Sequence, residues 1–501
     1  MDYWHREFSL ERLRQRLRAM PMLFVIVPFI VGIILANSFS TPLFVLCAGM
    51  VVAACGALYA RPLWIAHLFS FLLVMLFGAL LVKLRQEPAA TPYNRAVEMQ
   101  VSIVSPIAVR DGYSVAEGRI ERWFDNDCWH EAADRIQLWL RCDTLNYGDK
   151  AHIVGELRER ISKYGDYNAL MHNRGYVGGI AVSDTQILDI EPDAVGGIRR
   201  YAIDKLGRYA RDTASHSVVA GMVVGSRHSM PSTLREAYSA TGLSHILAVS
   251  GLHLGVVLLV ISLFLKPLRL LTYGHVVADI LTVAVLWLFV VMSGASPSVV
   301  RAALMFSVLI IVKNSTGQYN PINALLFAIF VMLCYRPQML YDISFQLSVF
   351  AVMGIVAWGA PIVRNLRFKS RIATAVTSTF IIGAVATLWT MPIVSSTFGN
   401  IPIVGVVATP VALITAYAIV CFGVVALIFP TPFAEPFVLC AEWLASVQNM
   451  VVEWFATLPF ASVEHTLSST AVAIYYTLLA LITLALWSRK PKAKNLSIDM
   501  F

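Results

Sequence analysis

The chain has 501 residues, 57% of them hydrophobic and 14% charged, with a mean hydropathy of +0.68. Soluble domains carry about 25% charged residues, so the composition excludes a water-soluble core and predicts a membrane protein whose apolar runs of ~20 residues cross a hydrocarbon layer about 30 Å thick. Much of the net charge of +8 lies in short segments beside those runs; the positive-inside bias produces this, and it is not a nucleic-acid signal.

Residues 1–20 form a basic amphipathic start containing Arg6, Arg12, Arg14, Arg16 and Arg18. The first apolar run has no small-residue cleavage site after it and reads as a permanent span rather than a signal peptide. Three apolar runs follow, near 21–39, 43–60 and 62–84, with breakers at Ser38–Pro42 and Arg61–Pro62. Such short links predict a tight three-helix packet over 21–87.

Across 88–193 charged residues become frequent and the apolar period shifts toward two. Tyr113–Trp123, Arg135–Arg141, Lys150–Leu157, Tyr176–Val182 and Thr185–Ile190 read as strands, separated by turns such as Asn146-Tyr147-Gly148-Asp149. Five short strands with a helical piece fit a small OB-like β-barrel, although periodicity does not separate it from other small β-folds. Pro88–Pro192 holds 11 Lys/Arg against 16 Asp/Glu, so the insert is no general sink for nucleic acid. Trp123, Phe124, Trp129 and Trp139 could stack bases or fill a core. Cys128 and Cys142 are the insert's two cysteines, and their pairing is left open. No CxxC occurs among the seven cysteines, and no metal or cofactor site is expected.

Residues 194–241 read as amphipathic helix with Arg199, Arg200, Lys205, Arg208 and Arg211, the kind of segment that lies on a membrane surface or a partner helix. A second membrane block occupies 242–488, with spans near 243–265, 273–292, 297–313, 319–335, 342–360, 372–397, 402–429, 436–458 and 470–487. The runs at 297–313 and 436–458 could be re-entrant. Residues 489–501 form a basic tail. The expected fold is mainly α: a polytopic membrane protein of about 12 spans with a small inserted OB-like β-barrel. The arginine-rich start places the N-terminus in the cytoplasm. Counting spans then puts the insert outside, and Lys266/Arg269, Lys313, Arg364–Arg371 and the tail inside, in agreement with the charge bias.

Four interruptions of the apolar pattern are candidate functional sites. Gly242-Leu243-Ser244-His245-Ile246-Leu247-Ala248-Val249-Ser250-Gly251-Leu252-His253-Leu254-Gly255 places His245, Ser250 and His253 inside one predicted span, with Ser250 and His253 on one helix face. Such groups face a cavity or a partner; close helix packing by small residues is the competing account. Ser293-Gly294-Ala295-Ser296-Pro297-Ser298-Val299-Val300-Arg301-Ala302 breaks a helix and frees backbone groups. It offers Ser296 and the cation Arg301, which would line a path, snorkel or form an ion pair. Asp342 and Gln346 lie four apart, Asp342 suiting a helix N-cap. Asn400 lies in Phe398-Gly399-Asn400-Ile401-Pro402, another break of the kind that discontinuous transporter helices use. His245, Ser250, His253, Ser296, Arg301, Gln346 and Asn400 are thus the expected lining or substrate-binding residues, converging on one polar pathway.

The Leu243–His253 run resembles the signature of the ComEC competence-protein family. Ser293–Ala302, Phe345-Gln346-Leu347-Ser348 and Asn400-Ile401-Pro402 are similar to further motifs of that family. Gly221-Met222-Val223-Val224-Gly225-Ser226-Arg227 resembles the stretch that opens its competence domain. Gly165-Asp166-Tyr167 and Arg174-Gly175-Tyr176-Val177-Gly178 resemble its N-terminal OB module. The resemblance implies an inner-membrane channel for uptake of single-stranded DNA in natural transformation, working beside membrane lipid, other competence-machinery proteins and a separate nuclease. A homo-oligomer is left open. Many family members carry a C-terminal metallo-β-lactamase-like domain. The HxHxDH motif does not occur in this sequence, and no enzymatic activity is expected of the chain. The alternatives are a transporter or channel for another anionic or lipid-linked solute, and an intramembrane hydrolase using Ser250 and His253.

Overall fold

The computed structural model describes residues 15, 18–39, 42–85, 90–105, 107–110, 113–125, 127–141, 145, 147–159, 168, 171–172, 174–192, 194–226, 230–313, 319–366, 370–459 and 462–488. Arg6, Arg12, Arg14, Arg16, Cys142, Asn146, Gly165–Tyr167, Arg227 and the tail lie outside them.

Of the described residues, 68% are helical. Helices α1 (Leu23–Ser38), α2 (Leu43–Tyr59) and α3 (Leu63–Arg85) form the first packet. A Cβ on Gly32 would meet the Met75 carbonyl, and one on Gly78 the Phe29 carbonyl. Glycine therefore lets α1 and α3 cross backbone to backbone. The packet is not isolated: the Phe29 ring packs at a tilt against Phe330 of a helix in the second block, with ring centroids 5.0 Å apart.

The insert contains β1 (Ala96–Ile103), β2 (Ala108–Arg110), β3 (Tyr113–Asp125), β4 (Cys128–Arg141), β5 (Asp149–Glu156), β6 (Gly178–Ser183) and β7 (Ile187–Pro192). Their order is β6-β4-β3-β1-β5-β7, with β2 beside β3; β4 and β6 run parallel and the other pairs antiparallel. The sheet curls into a half-barrel. Its ends meet where Arg158, just past β5, exchanges backbone bonds of 3.0 and 2.9 Å with Gly179 in β6. Val97, Met99, Val101 and Ile103 alternate into the core, so β1 is the central strand that the sequence reading omitted. Cys128 opens β4 and is an exposed free thiol; Cys142 lies outside the described residues, and so does the pairing of the two cysteines.

Residues 194–241 are three helices, α4 (Ala194–Gly207), α5 (Thr213–Val223) and α6 (Ser232–Ala240), packed against helices of the second membrane block. The Arg199 guanidinium donates to the Met292 carbonyl at 3.1 Å and lies 4.9 Å from the Tyr147 ring centroid. Lys205 Nζ donates to the Leu427 and Phe429 carbonyls at 2.9 and 2.8 Å. Both cations are buried. They satisfy orphan carbonyls at two helix C-termini and oppose the helix dipoles there. Burial pushes the Arg199 pKa down to about 10.

The second block comprises α7 (Ser244–Leu247), α8 (Gly251–Phe264), α9 (Gly274–Met292), α10 (Pro297–Lys313), α11 (Pro321–Tyr335), α12 (Ile343–Asn365, through a π-helical turn at Ile355–Gly359), α13 (Arg371–Phe398), α14 (Gly405–Ile428), α15 (Glu435–Ala456) and α16 (Ser469–Ser488). A short ladder of β8 (Asn400–Ile401) and β9 (Val463–Glu464) ties the start of α14 to the end of α15. Among the described residues, six helices are long and apolar enough to cross a membrane: α3, α9, α12, α13, α14 and α16. The chain is accordingly a membrane protein. The predicted span 243–265 is broken: after α7 the backbone is extended at Ala248 and Ser250. α8 then has 14 residues, a length of about 21 Å.

Helix breaks meet around Arg301

The sequence motifs, up to 180 residues apart, come together in space. Gly225 adopts φ +75° and presses on the Ser293 carbonyl and the Val249 side chain. Gly242, at φ +72°, packs on the Pro402 ring, and the Thr241 carbonyl approaches Gly405. Gly251 faces Ala302 and the Arg301 guanidinium. In each pair a side chain in place of the glycine hydrogen would collide or strain the turn.

Arg301 is 5% exposed. Its guanidinium donates to Ser348 Oγ on α12, and Ser348 shares a 2.7 Å hydrogen bond with Ser298 Oγ on α10. Its Nε is buried without a hydrogen-bond partner, as is Ser296 Oγ. Among the described residues no carboxylate lies within ion-pair distance of Arg301. Burying an unpaired cation costs several kcal/mol, so this group sits poised for an anionic partner.

The histidines sit beside this junction. His245 Nδ1 contacts the Gly242 carbonyl at 2.8 Å, and the residue is exposed. His253 is buried and near enough to His245 to interact electrostatically. Ser250 is not on a helix face with His253, as the spacing predicted, but is the N-cap of α8. Its backbone N–H donates to His253 Nδ1 at 3.4 Å, closing a capping box. That box accounts for the serine and histidine locally.

Gln346 is not drawn to the junction. Its amide caps the Leu340 carbonyl at 2.8 Å, while Asp342 caps α12 through the Phe345 N–H at 3.1 Å. Ser348, two residues on and about 200° around the helix, takes the place expected of Gln346. Asn400 is placed by its backbone in β8, opposite Glu464.

Sequence reasoning missed two further polar groups of the second block. Tyr238 donates to Asn449 Oδ1 at 3.0 Å and accepts from Gln448, which in turn accepts from Thr415 at 2.7 Å. This buried, mutually satisfied set locks α6 to α14 and α15. Glu442 accepts from the Arg211 N–H at 3.0 Å and faces His216 Nδ1 at 3.5 Å. The polar run Glu442–Gln448–Asn449 in an apolar helix was the available signal.

On the insert, a cleft of about 160 Å³ brings Trp129 over His152 beside Arg122 and Lys150. Asp189 and Glu191 share it, so its charge is mixed. Among the described residues no group of three His, Cys, Asp or Glu side chains is arranged to hold a metal.

A family model described as "Competence protein" matches residues 222–490. The chain is 28% identical over 293 residues to ComE operon protein 3 of Bacillus subtilis, an alignment covering 56% of this chain and 36% of that protein. It is 30% identical over 242 residues to an uncharacterized protein of Aquifex aeolicus, covering 48% of this chain and 54% of that one. The chain therefore spans less than two thirds of the length of either curated relative. No solved structure matches it.

Proposed function

Because the chain belongs to the competence protein family, we propose that it is an inner-membrane channel that passes single-stranded DNA during natural transformation. The observation that carries this reading is the convergence of the helix breaks on Arg301, a buried guanidinium with no carboxylate partner among the described residues. A passing phosphate would supply the missing counter-charge through forked hydrogen bonds. His245, Ser250, His253 and Ser296 would line the same path, joined by Ser298 and Ser348 in place of Gln346. Membrane lipid, other competence-machinery proteins and a separate nuclease are the proposed partners.

The strand order of the insert, a curled meander closed by a parallel pair, supports an OB-type module. Its contacts support placing it outside. Tyr147 reaches the Val291 carbonyl, at 3.5 Å, and Arg174 the Tyr341 carbonyl, at 3.1 Å, and the span count puts both of those loops on the insert's side. The α14–α15 hairpin modifies the count of about 12. Counting places Met292 outside and Phe429 inside. Yet Arg199 and Lys205, which cap them, are six residues apart, about 9 Å of helix. Those two carbonyls are closer together than the faces of a ~30 Å layer. We therefore read α14–α15 as a re-entrant pair, which leaves ten crossings and the sidedness of every other loop unchanged.

The test is transformation frequency at equal membrane abundance in a transformation-deficient strain complemented with this chain. Arg301→Ala should lower it at least tenfold, and Arg301→Lys should retain part of it. Unchanged transformation by Arg301→Ala would overturn the reading. Parallel loss of abundance would assign Arg301 to structure. Uptake of a small organic anion without DNA would favour the other-solute transporter.

A further inference from the structure

Among the described residues the insert grips the membrane block at two places, and each lies just ahead of one half of the Arg301–Ser348 pair. The first grip is the Arg174–Gly178 run, to which the pathway gives no role. Arg174 Nε donates to the Tyr341 carbonyl at 3.1 Å, seven residues before Ser348. Gly175, at φ +81°, brings its backbone against Gln338; a Cβ there would lie 3.1 Å from Gln338 Cγ. The loop is braced from behind. Arg135 donates to the Arg174 carbonyl at 3.0 Å, lies 4.3 Å from the Tyr176 ring centroid and pairs with Glu117. Burial, then the Glu117 charge, raises the Tyr176 phenol pKa, so the ring stays neutral under the guanidinium.

The second grip is the stack of Arg199 on Tyr147. Tyr147 contacts the Val291 carbonyl and Arg199 binds that of Met292, nine residues before Arg301. Arg200 fastens this corner to the insert through Asp149 at 2.8 Å. Met292 ends α9, and Gly294 and Ala295 both adopt positive φ before α10 begins at Pro297. The start of α12 likewise follows a short 3-10 turn at Pro337–Tyr341. Each helix start thus follows a short irregular link. The insert bridges them.

We propose that Arg174, with the Tyr147–Arg199 stack, positions the anion site: by clamping the backbone ahead of α12 and α10, the insert holds Ser348 against Arg301. The proposal rests on the channel reading for its importance to transport, but its geometry can be tested without DNA. A two-point clamp also gives the insert leverage, since tilting it on one grip would part the serine from the arginine.

Ser298→Cys and Ser348→Cys, in full-length protein whose native cysteines are replaced by serine, would place two thiols where the hydroxyls now lie 2.7 Å apart. Disulfide formation should be fast, and adding Arg174→Ala should slow it about tenfold, with Arg174→Lys restoring part of the rate. An unchanged rate in Arg174→Ala would overturn the proposal. Transport provides the second arm. Arg174→Ala should reduce transformation about tenfold at equal abundance but add little to the loss caused by Ser348→Ala, because both act on one contact. Independent, multiplicative losses would overturn positioning while leaving the channel reading intact. Unimpaired transformation by Arg301→Ala would instead remove the channel reading, and the thiol experiment would still decide the clamp.

Discussion

Lys205 closes the end of α14 by donating to the Phe429 carbonyl at 2.8 Å, with Leu427 as its second acceptor. Removing the ammonium exposes two buried carbonyls and a helix dipole. Lys205→Met should therefore lower stability by about 1–3 kcal/mol, read as a drop in the thermal midpoint in detergent micelles. Lys205→Arg should recover most of it. An unshifted midpoint in Lys205→Met would show that the carbonyls find other donors.

The glycine contacts at the junction predict a graded series. Gly242→Ala must fit a Cβ against the Pro402 ring at positive φ, and Gly225→Ala one against the Ser293 carbonyl. Each should cost about 1–3 kcal/mol. Gly197→Ala is the control: it lies in α4 with nothing near its would-be Cβ, and should be neutral or stabilising by up to ~1 kcal/mol. Equal melting of all three variants would contradict the packing.

Cys128, exposed at the start of β4, should react as a free thiol in the oxidised monomer. Alkylation of the intact membrane protein followed by peptide mass spectrometry should modify it, and a Cys128 blocked in a disulfide within a single chain would contradict this.

The apolar runs were legible because ~20 hydrophobic residues have few other uses. Sequence segments and helices agree within a few residues for α1–α3, α9–α11 and α13–α16. The break inside 243–265 was not legible from hydropathy, since Ala248 and Val249 are as apolar as the helix that follows. Its signal was chemical: Ser250 with His253 three residues on, before an apolar run, is a capping pattern. β1 was missed although Val97-Glu98-Met99-Gln100-Val101-Ser102-Ile103 alternates strictly, because a charged, polar outer face looks like loop when read for composition. Arg199 and Lys205 mark, in the sequence, a helix lying on a membrane surface or a partner helix; the acceptors they bind are backbone carbonyls distant in sequence, which no side-chain pattern reveals. At the junction, Arg301 and the histidines stood out as polar groups among apolar ones. Ser348 did not, since a lone serine in an apolar helix usually bonds its own backbone. Only the fold shows which face of α12 turns to Arg301.

The capping cations also shape what a polyanion would meet. An open helix C-terminus carries roughly half a unit of negative charge, and in a low-dielectric setting two such ends would repel an approaching phosphate chain. Arg199 at the end of α9 and Lys205 at the end of α14 cancel those ends. Their charge is consumed there, so they give little attraction of their own. α4 thus levels the potential instead of deepening it, and among the described residues the guanidinium of Arg301 is the buried positive group at the helix breaks without a carboxylate partner. With the helix ends neutralised, an anion reaching the breaks would be held at one point and not opposed on either side of it.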